Sequence, residues 1–198
     1  MDRIMISGVS SGCGKTTVVC AVLQALVNRG LKTGAFKCGP DYIDPMFHSR
    51  IIGAKSANLD LHFFSENTLR FLLAKNAAGC DVSVIEGAMG FYDGAGLTTW
   101  KTSAYELALV TKTPVVLVVN ARGAALSVLA VIEGFLRFRP DRSTELFALS
   151  APEILFSLFV PVTVRPPGSI NLSAYSYFYY TIFYFTMQLV CLLIVLNF

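Results

Sequence analysis

The chain has 198 residues, length for one domain with a sizeable core, and a net charge of +3 with no basic run, so nothing in it points to a nucleic-acid partner. Its five cysteines (13, 20, 38, 80 and 191) form no C-x-x-C pair, and His48 and His62 stand alone. These spacings argue against a disulfide framework and against zinc, and fit reduced thiols in a cytoplasmic protein. No signal-peptide pattern opens the chain, where Asp2 and Arg3 run straight into a strand.

In chain order, Ile4 to Ser7 is a predicted strand, followed by the glycine-rich stretch Gly8 to Thr17. Lys15 to Arg29 is a predicted helix with Val18, Val19, Val22, Leu23, Leu26 and Val27 on its apolar face and Gly30 as its stop. Lys32 to Cys38 is a second strand, and Ser65 is placed to cap a helix through Lys75. Val82 to Glu86 is a third strand, Ser103 to Thr111 a helix, Val115 to Asn120 a continuous apolar strand, and Ala124 to Arg137 a further helix. Alternating strands and helices predict an α/β fold, a parallel sheet with flanking helices and right-handed crossovers. In such sheets ligands bind beyond the carboxyl ends of the strands, so Gly8–Thr17, Gly39–Asp44 and Gly87–Asp93 are expected to converge on one site.

The alternation stops near Pro140. We take residues 1–141 as the α/β phosphate-binding domain, incomplete as a fold, and residues 142–198 as an atypical apolar tail outside it. Tyr175 to Phe198 has no charged residue and the length to span a bilayer, but its many Tyr and Thr, Gln188 near its middle and its lack of basic anchors weigh against a membrane role. A membrane anchor, a buried core segment and a non-native frameshift or truncation product are the three readings. The abrupt change of composition favours the last.

The stretch Gly8-Val-Ser-Ser-Gly-Cys-Gly-Lys-Thr-Thr17, between a strand and a helix, is the arrangement that cradles phosphates. Inward-pointing backbone N–H groups and the helix N-terminus favour negative charge there. Lys15 is expected to reach the β- and γ-phosphates of a nucleoside triphosphate and Thr16 to bind Mg²⁺, with Gly8, Ser11, Gly12, Cys13, Gly14 and Thr17 completing the cradle. The common spacing puts a glycine where this chain has Val9; Gly8 and Gly12 are the nearest glycines. Cys13 is not assigned a chemical role. Two acidic motifs accompany the loop, Lys37-Cys-Gly-Pro-Asp-Tyr-Ile-Asp-Pro45 and Val84-Ile-Glu-Gly-Ala-Met-Gly-Phe-Tyr-Asp-Gly94. Glu86 ends a buried strand, where a carboxylate is costly unless paired with a cation. Mg²⁺ is the expected partner, its shell drawn from Thr16, Asp41 and Glu86 together with phosphate oxygens.

Taken together, the phosphate loop, Phe36–Pro45, Asn58-Leu-Asp60, Val84–Gly94 and Pro114–Ser127 resemble the ATP-dependent amidoligases that amidate corrin precursors in cobalamin synthesis, the cobyrinic acid a,c-diamide synthases most of all. The resemblance covers about residues 3 to 141 and implies a P-loop nucleoside triphosphate hydrolase fold. It further implies ATP, Mg²⁺ and a tetrapyrrole (corrin) substrate, with reaction through an acyl phosphate that ammonia displaces. By the same resemblance the catalytic residues are Lys15, Asp41, Glu86 and Asp93. Asp41 and Glu86 are assigned to the metal, Asp93 to orienting substrate or ammonia, and Asp44 and Tyr42 to the substrate rim. Relatives draw ammonia from glutamine through a glutaminase domain, and no such region is visible after Asp141. Asn120 stands where relatives often carry Asp. A homodimer is compatible with the resemblance. The alternatives are a nickel-tetrapyrrole a,c-diamide synthase, a partitioning-type membrane-surface ATPase and an inactive fragment. Ser10 and Ser11 in place of an early loop lysine, and the Gly39–Pro45 stretch, count against the partitioning reading.

Overall fold

The structure, a computed structural model, describes residues 2–138 and 154–157. Its elements are β1 (Asp2–Gly8), α1 (Lys15–Asn28), β2 (Thr33–Cys38), α2 (Ile43–Phe47), a π-helical turn (His48–Ile52) and β3 (Lys55–Leu59). These are followed by α3 (Glu66–Ala77), β4 (Val82–Glu86), α4 (Ala104–Thr111), β5 (Val115–Val118), α5 (Ser127–Arg137) and β6 (Ile154–Ser157). The strands form one sheet in the order β3-β2-β4-β1-β5-β6, and every pairing is parallel. The fold is therefore the expected α/β arrangement.

Alternation of side chains sorts the core into two layers. Ile4, Ile6, Ala35, Val84 and Val116 face α1, whose Val18, Val19, Val22, Leu23 and Leu26 close that layer. Met5, Phe36, Ile85 and Leu117 face the other way, against Leu69 and Leu73 of α3, Leu107 of α4 and Ile132 of α5. Both faces are covered, which is why β1, β2, β4 and β5 read as near-continuous apolar runs. Helix starts follow local chemistry. The Ser65 and Ser103 hydroxyls accept from the backbone N–H groups of Thr68 and Glu106, as N-caps do.

Three features were not legible in the pattern. β3 is Lys-Ser-Ala-Asn-Leu, a polar edge strand paired only with β2, and only Leu59 in it is buried. α2 contains Pro45, which a first turn tolerates because the missing N–H has no helical partner there. The segment read as a stiff turn thus becomes a short helix running into the π-helical turn. β6 adds four residues from the stretch read as lying outside the fold, and it covers the edge that β5 would otherwise present. The remainder of residues 142–198, including Tyr175–Phe198 and Cys191, lies outside the described residues. Among the described residues no helix is long and apolar enough to cross a membrane.

The connection leaving β1 runs to one side of the sheet, towards β2, whereas the connection leaving its neighbour β4 runs to the other, towards β5. A crevice opens between strand ends whose connections diverge in this way. Leu23, fully buried against the α1 side of the sheet, tests the packing that holds it. We expect Leu23→Ala to cost about 2–5 kcal/mol in denaturant titration; a loss below about 0.5 kcal/mol, typical of a surface site, contradicts this packing.

Candidate active site

The phosphate loop follows β1 and ends in the first turn of α1. Gly12 and Gly14 take φ of 71° and 101°, left-handed conformations that favour glycine. Gly8 serves a different need. A Cβ at that position would lie 2.2 Å from Cys13 Sγ and 3.0 Å from Lys15 Cγ, so the strand end passes directly against the loop. The glycine displaced by one position from the common spacing is thus the one that this close approach requires. Cys13 is buried behind the loop as packing, in keeping with its lack of an assigned role. Lys15 is also buried, and its Nζ donates to the Ser10 carbonyl at 2.8 Å.

Ser11, Gly12, Gly14, Lys15, Thr16 and Thr17 form one wall of a cleft of about 440 Å³; Lys37 and Asp41 form a second wall and Gly87, Ala88 and Met89 a third. The three strand-end segments therefore converge as the topology required.

The cleft's floor is an ion-pair network set by strand register. Lys37 of β2 and Glu86 of β4 are register partners on adjacent parallel strands, and the pleat turns both towards α1. Lys37 Nζ lies 2.8 Å from Glu86 Oε1 and 2.5 Å from Asp44 Oδ2, with Asp41 Oδ2 at 3.7 Å. Glu86 is 0% exposed and Lys37 7%. Thr16, in the first turn of α1, donates its hydroxyl to Glu86 Oε1 at 2.6 Å. Burial is the largest single influence on the Lys37 pKa and lowers it. Hydrogen bonds to Asp44 and Glu86, and their charges, outweigh burial and raise it above the ordinary 10.5. The buried Glu86 carboxylate thus has a cation within the chain, Lys37.

Asp41 stands at the entrance to α2. Its Oδ1 accepts from the backbone N–H groups of Ile43 and Asp44 at 2.9 and 3.3 Å, and Asn58 Nδ2 donates to its carbonyl at 2.5 Å. Burial alone would raise the Asp41 pKa, but the Asp44 N–H bond, the Lys37 charge and the Ile43 N–H bond lower it below the ordinary value. Asp93 lies away from this cluster. It is exposed, its Oδ2 accepts from Gly90 N–H at 2.9 Å, and it closes the turn that carries Gly87–Met89 to the cleft. Phe91 and Tyr92 of the same motif pack with Tyr105 and Phe135, anchoring that turn to α4 and α5. Tyr42 is exposed at the rim. Asn120 Oδ1 accepts from Arg122 N–H in the loop after β5.

The residues present fit a hard divalent cation beside a phosphate. Thr16 and Asp41 offer oxygen to the cleft, with Glu86 hydrogen-bonded directly behind Thr16. Among the described residues no group of three His, Cys, Asp or Glu could hold a metal by itself. Mg²⁺ takes phosphate oxygens and water for most of its shell.

The family model for the CobQ/CobB/MinD/ParA nucleotide binding domain matches residues 4–133. The chain belongs to this family. Among curated relatives of this nucleotide-binding domain, the "Cobyrinate a,c-diamide synthase" of Listeria monocytogenes serovar 1/2a is 44% identical over 142 residues, 71% of this chain and 31% of that protein. The protein of the same name from Thermoplasma volcanium is 46% identical over 141 residues, 71% of this chain and 31% of its own length. That from Saccharolobus solfataricus is 42% identical over 143 residues, 72% and 32%. The chain thus spans about a third of the length of the curated relatives it matches.

Within this nucleotide-binding domain Lys37, His48 and Asn58 are given no role by the sequence. A lysine and a glutamate each near the carboxyl end of a predicted strand are a signal for Lys37 once the strand order is known. Removing one member of a buried pair costs about 3–5 kcal/mol. Lys37→Met is therefore expected to destabilise the fold by that amount and Lys37→Met/Glu86→Leu by less than the sum of the Lys37→Met and Glu86→Leu losses, as measured by denaturant titration; a double-variant loss equal to that sum would argue that the pair is not coupled. Because the Lys37 pKa is raised on folding, its contribution is fully present below pH 10.5 and is lost as pH rises through its folded-state value, a decline that Lys37→Met removes.

Proposed function

We propose that this chain is the ATP-binding part of a corrin amidoligase, the class of enzyme that converts side-chain carboxylates of a tetrapyrrole to amides in cobalamin synthesis. The observation that carries this reading is the meeting of the phosphate loop with the two acidic motifs in one cleft, in a chain 42–46% identical to proteins named cobyrinate a,c-diamide synthase.

In this reading ATP lies along Gly8–Thr17 with its phosphates against the loop's N–H groups. Lys15 leaves the Ser10 carbonyl and bonds the terminal phosphates. Thr16 and Asp41 would hold Mg²⁺, with Glu86 orienting Thr16 from behind, and charge neutralisation at the phosphates is the chemistry the ion would supply. A substrate carboxylate oxygen bonds to the γ-phosphorus as the bond to ADP breaks. The resulting acyl phosphate then takes ammonia at its carbonyl carbon, releasing phosphate and a proton and leaving the amide. Lys37, Asp41 and Asp44 give the cleft a mixed charge that tethers and spaces a polycarboxylate. Tyr42 and Met89 offer apolar surface to the macrocycle at the rim, and Asp93 supports the Gly87–Met89 wall. Ammonia as the nitrogen source, glutamine upstream of it and a cytoplasmic setting belong to the same reading.

Two measurements test it. Mg-ATP at 100 times its Kd should stabilise the chain by ~2.7 kcal/mol in thermal unfolding, and Lys15→Ala should abolish the effect; a shift that survives the substitution removes the loop from nucleotide binding. With a corrin polycarboxylate and ammonium ion supplied, ADP and phosphate should appear in step with amide formation. ATP hydrolysis that proceeds without amide and is indifferent to the corrin would exclude the amidoligase reading while leaving nucleotide binding intact.

A further inference from the structure

His48 opens the π-helical turn and is 1% exposed, yet neither of its ring nitrogens has a hydrogen-bond partner. Glu86 Oε2 is likewise buried and without a partner. These two orphans face one another, His48 Nε2 lying 3.7 Å from Glu86 Oε2. A buried polar atom left unpaired is costly, so two such atoms at this separation call for an explanation.

The backbone supplies one. The His48 carbonyl accepts from the N–H groups of Gly53 and Ala54, the first being the i→i+5 bond that makes the turn π-helical. Gly53, with φ of 87°, then turns the chain into β3. Ile52 and Ala54 pack in the core layer of α1. The π-helical turn thus begins at His48, whose imidazole reaches Glu86; π-helical insertions concentrate at functional sites. The ring needs to close by only about 0.8 Å to reach the separation of a charge-assisted hydrogen bond.

We propose that His48 is the positioning residue for Glu86: as the neutral imidazole protonated on Nε2, it donates to Glu86 Oε2 and fixes the carboxylate plane, so that Oε1 faces Thr16 and Lys37. The charges around the ring agree with a neutral form. Glu86 on β4 already has its counter-cation in Lys37 on β2, and Asp44 on α2 shares that lysine. The hydrogen bond stands independently of any ligand. Its consequence for the cleft rests on the nucleotide reading above: when the Thr16 hydroxyl turns to an ion, Glu86 keeps two donors, Lys37 and His48, and does not rotate.

The test uses the full chain with ¹⁵N-labelled histidine and long-range ¹H–¹⁵N correlation, which distinguishes the two neutral tautomers, with exposed His62 as internal reference. We expect His48 to carry its proton on Nε2 and its resonances to move in Glu86→Gln while those of His62 do not. A proton on Nδ1, a doubly protonated ring at neutral pH, or no response to Glu86→Gln overturns the proposal. Binding of Mg-ATP gives the second readout: His48→Leu should weaken it about tenfold or more, and His48→Gln, which keeps an N–H donor, should stay within about threefold of the parent. Equal losses in both variants, each folded by circular dichroism, mean that His48 only fills space and overturn the positioning role. A parent chain that binds no Mg-ATP defeats the nucleotide reading instead, and the tautomer measurement alone then decides for His48.

Discussion

The buried ion pair between Lys37 and Glu86 is the constraint around which the rest of the cleft is arranged. Neither charge is tolerable alone in an interior, and each fixes the other across two adjacent strands. A slip of β2 against β4 by one residue would turn both side chains to the opposite face, so the pair also specifies the register of the sheet's centre. Thr16 joins it from α1 and Asp44 from α2, which brings four separate elements to one pair of atoms.

This arrangement also gives the side chains of the glycine-rich loop partners within the chain. Lys15 is held by the Ser10 carbonyl and Thr16 by Glu86, so the two side chains that the nucleotide reading uses most already have partners. In the proposed function a phosphate entering the cleft would exchange those partners for its own oxygens, a change of side-chain partners rather than of backbone.

Much of this was legible in the sequence, and the reasons differ from element to element. β1, β4 and β5 announce themselves because both faces of the sheet are covered, leaving continuous apolar runs; α1 does so because its apolar stripe is uninterrupted. α3 and α4 are marked by Ser65 and Ser103, whose caps follow from local chemistry alone. β3 was hidden because an edge strand with a mostly uncovered surface needs little apolar character. Lys37 stood in plain view within a motif, but its partner is 49 residues away and becomes its neighbour only when β4 inserts between β1 and β2. Asp93 also stands in a motif, and the local bond its carboxylate accepts from the Gly90 N–H is one the motif's spacing alone does not reveal.

The bond from Asn58 to the Asp41 carbonyl ties one wall of the cleft to the outermost strand of the sheet. Edge strands are among the first parts of a domain to open in sub-global fluctuations. When β3 detaches, the anchor of the loop carrying Asp41 goes with it, while the phosphate loop, rooted on central β1, stays closed. The two sides of the cleft thus belong to cooperative units of different stability. Protection of the amides of Ile43 and Asp44 against solvent exchange reports on the peripheral unit, and that of the amides of Val18 and Val19 on the central one.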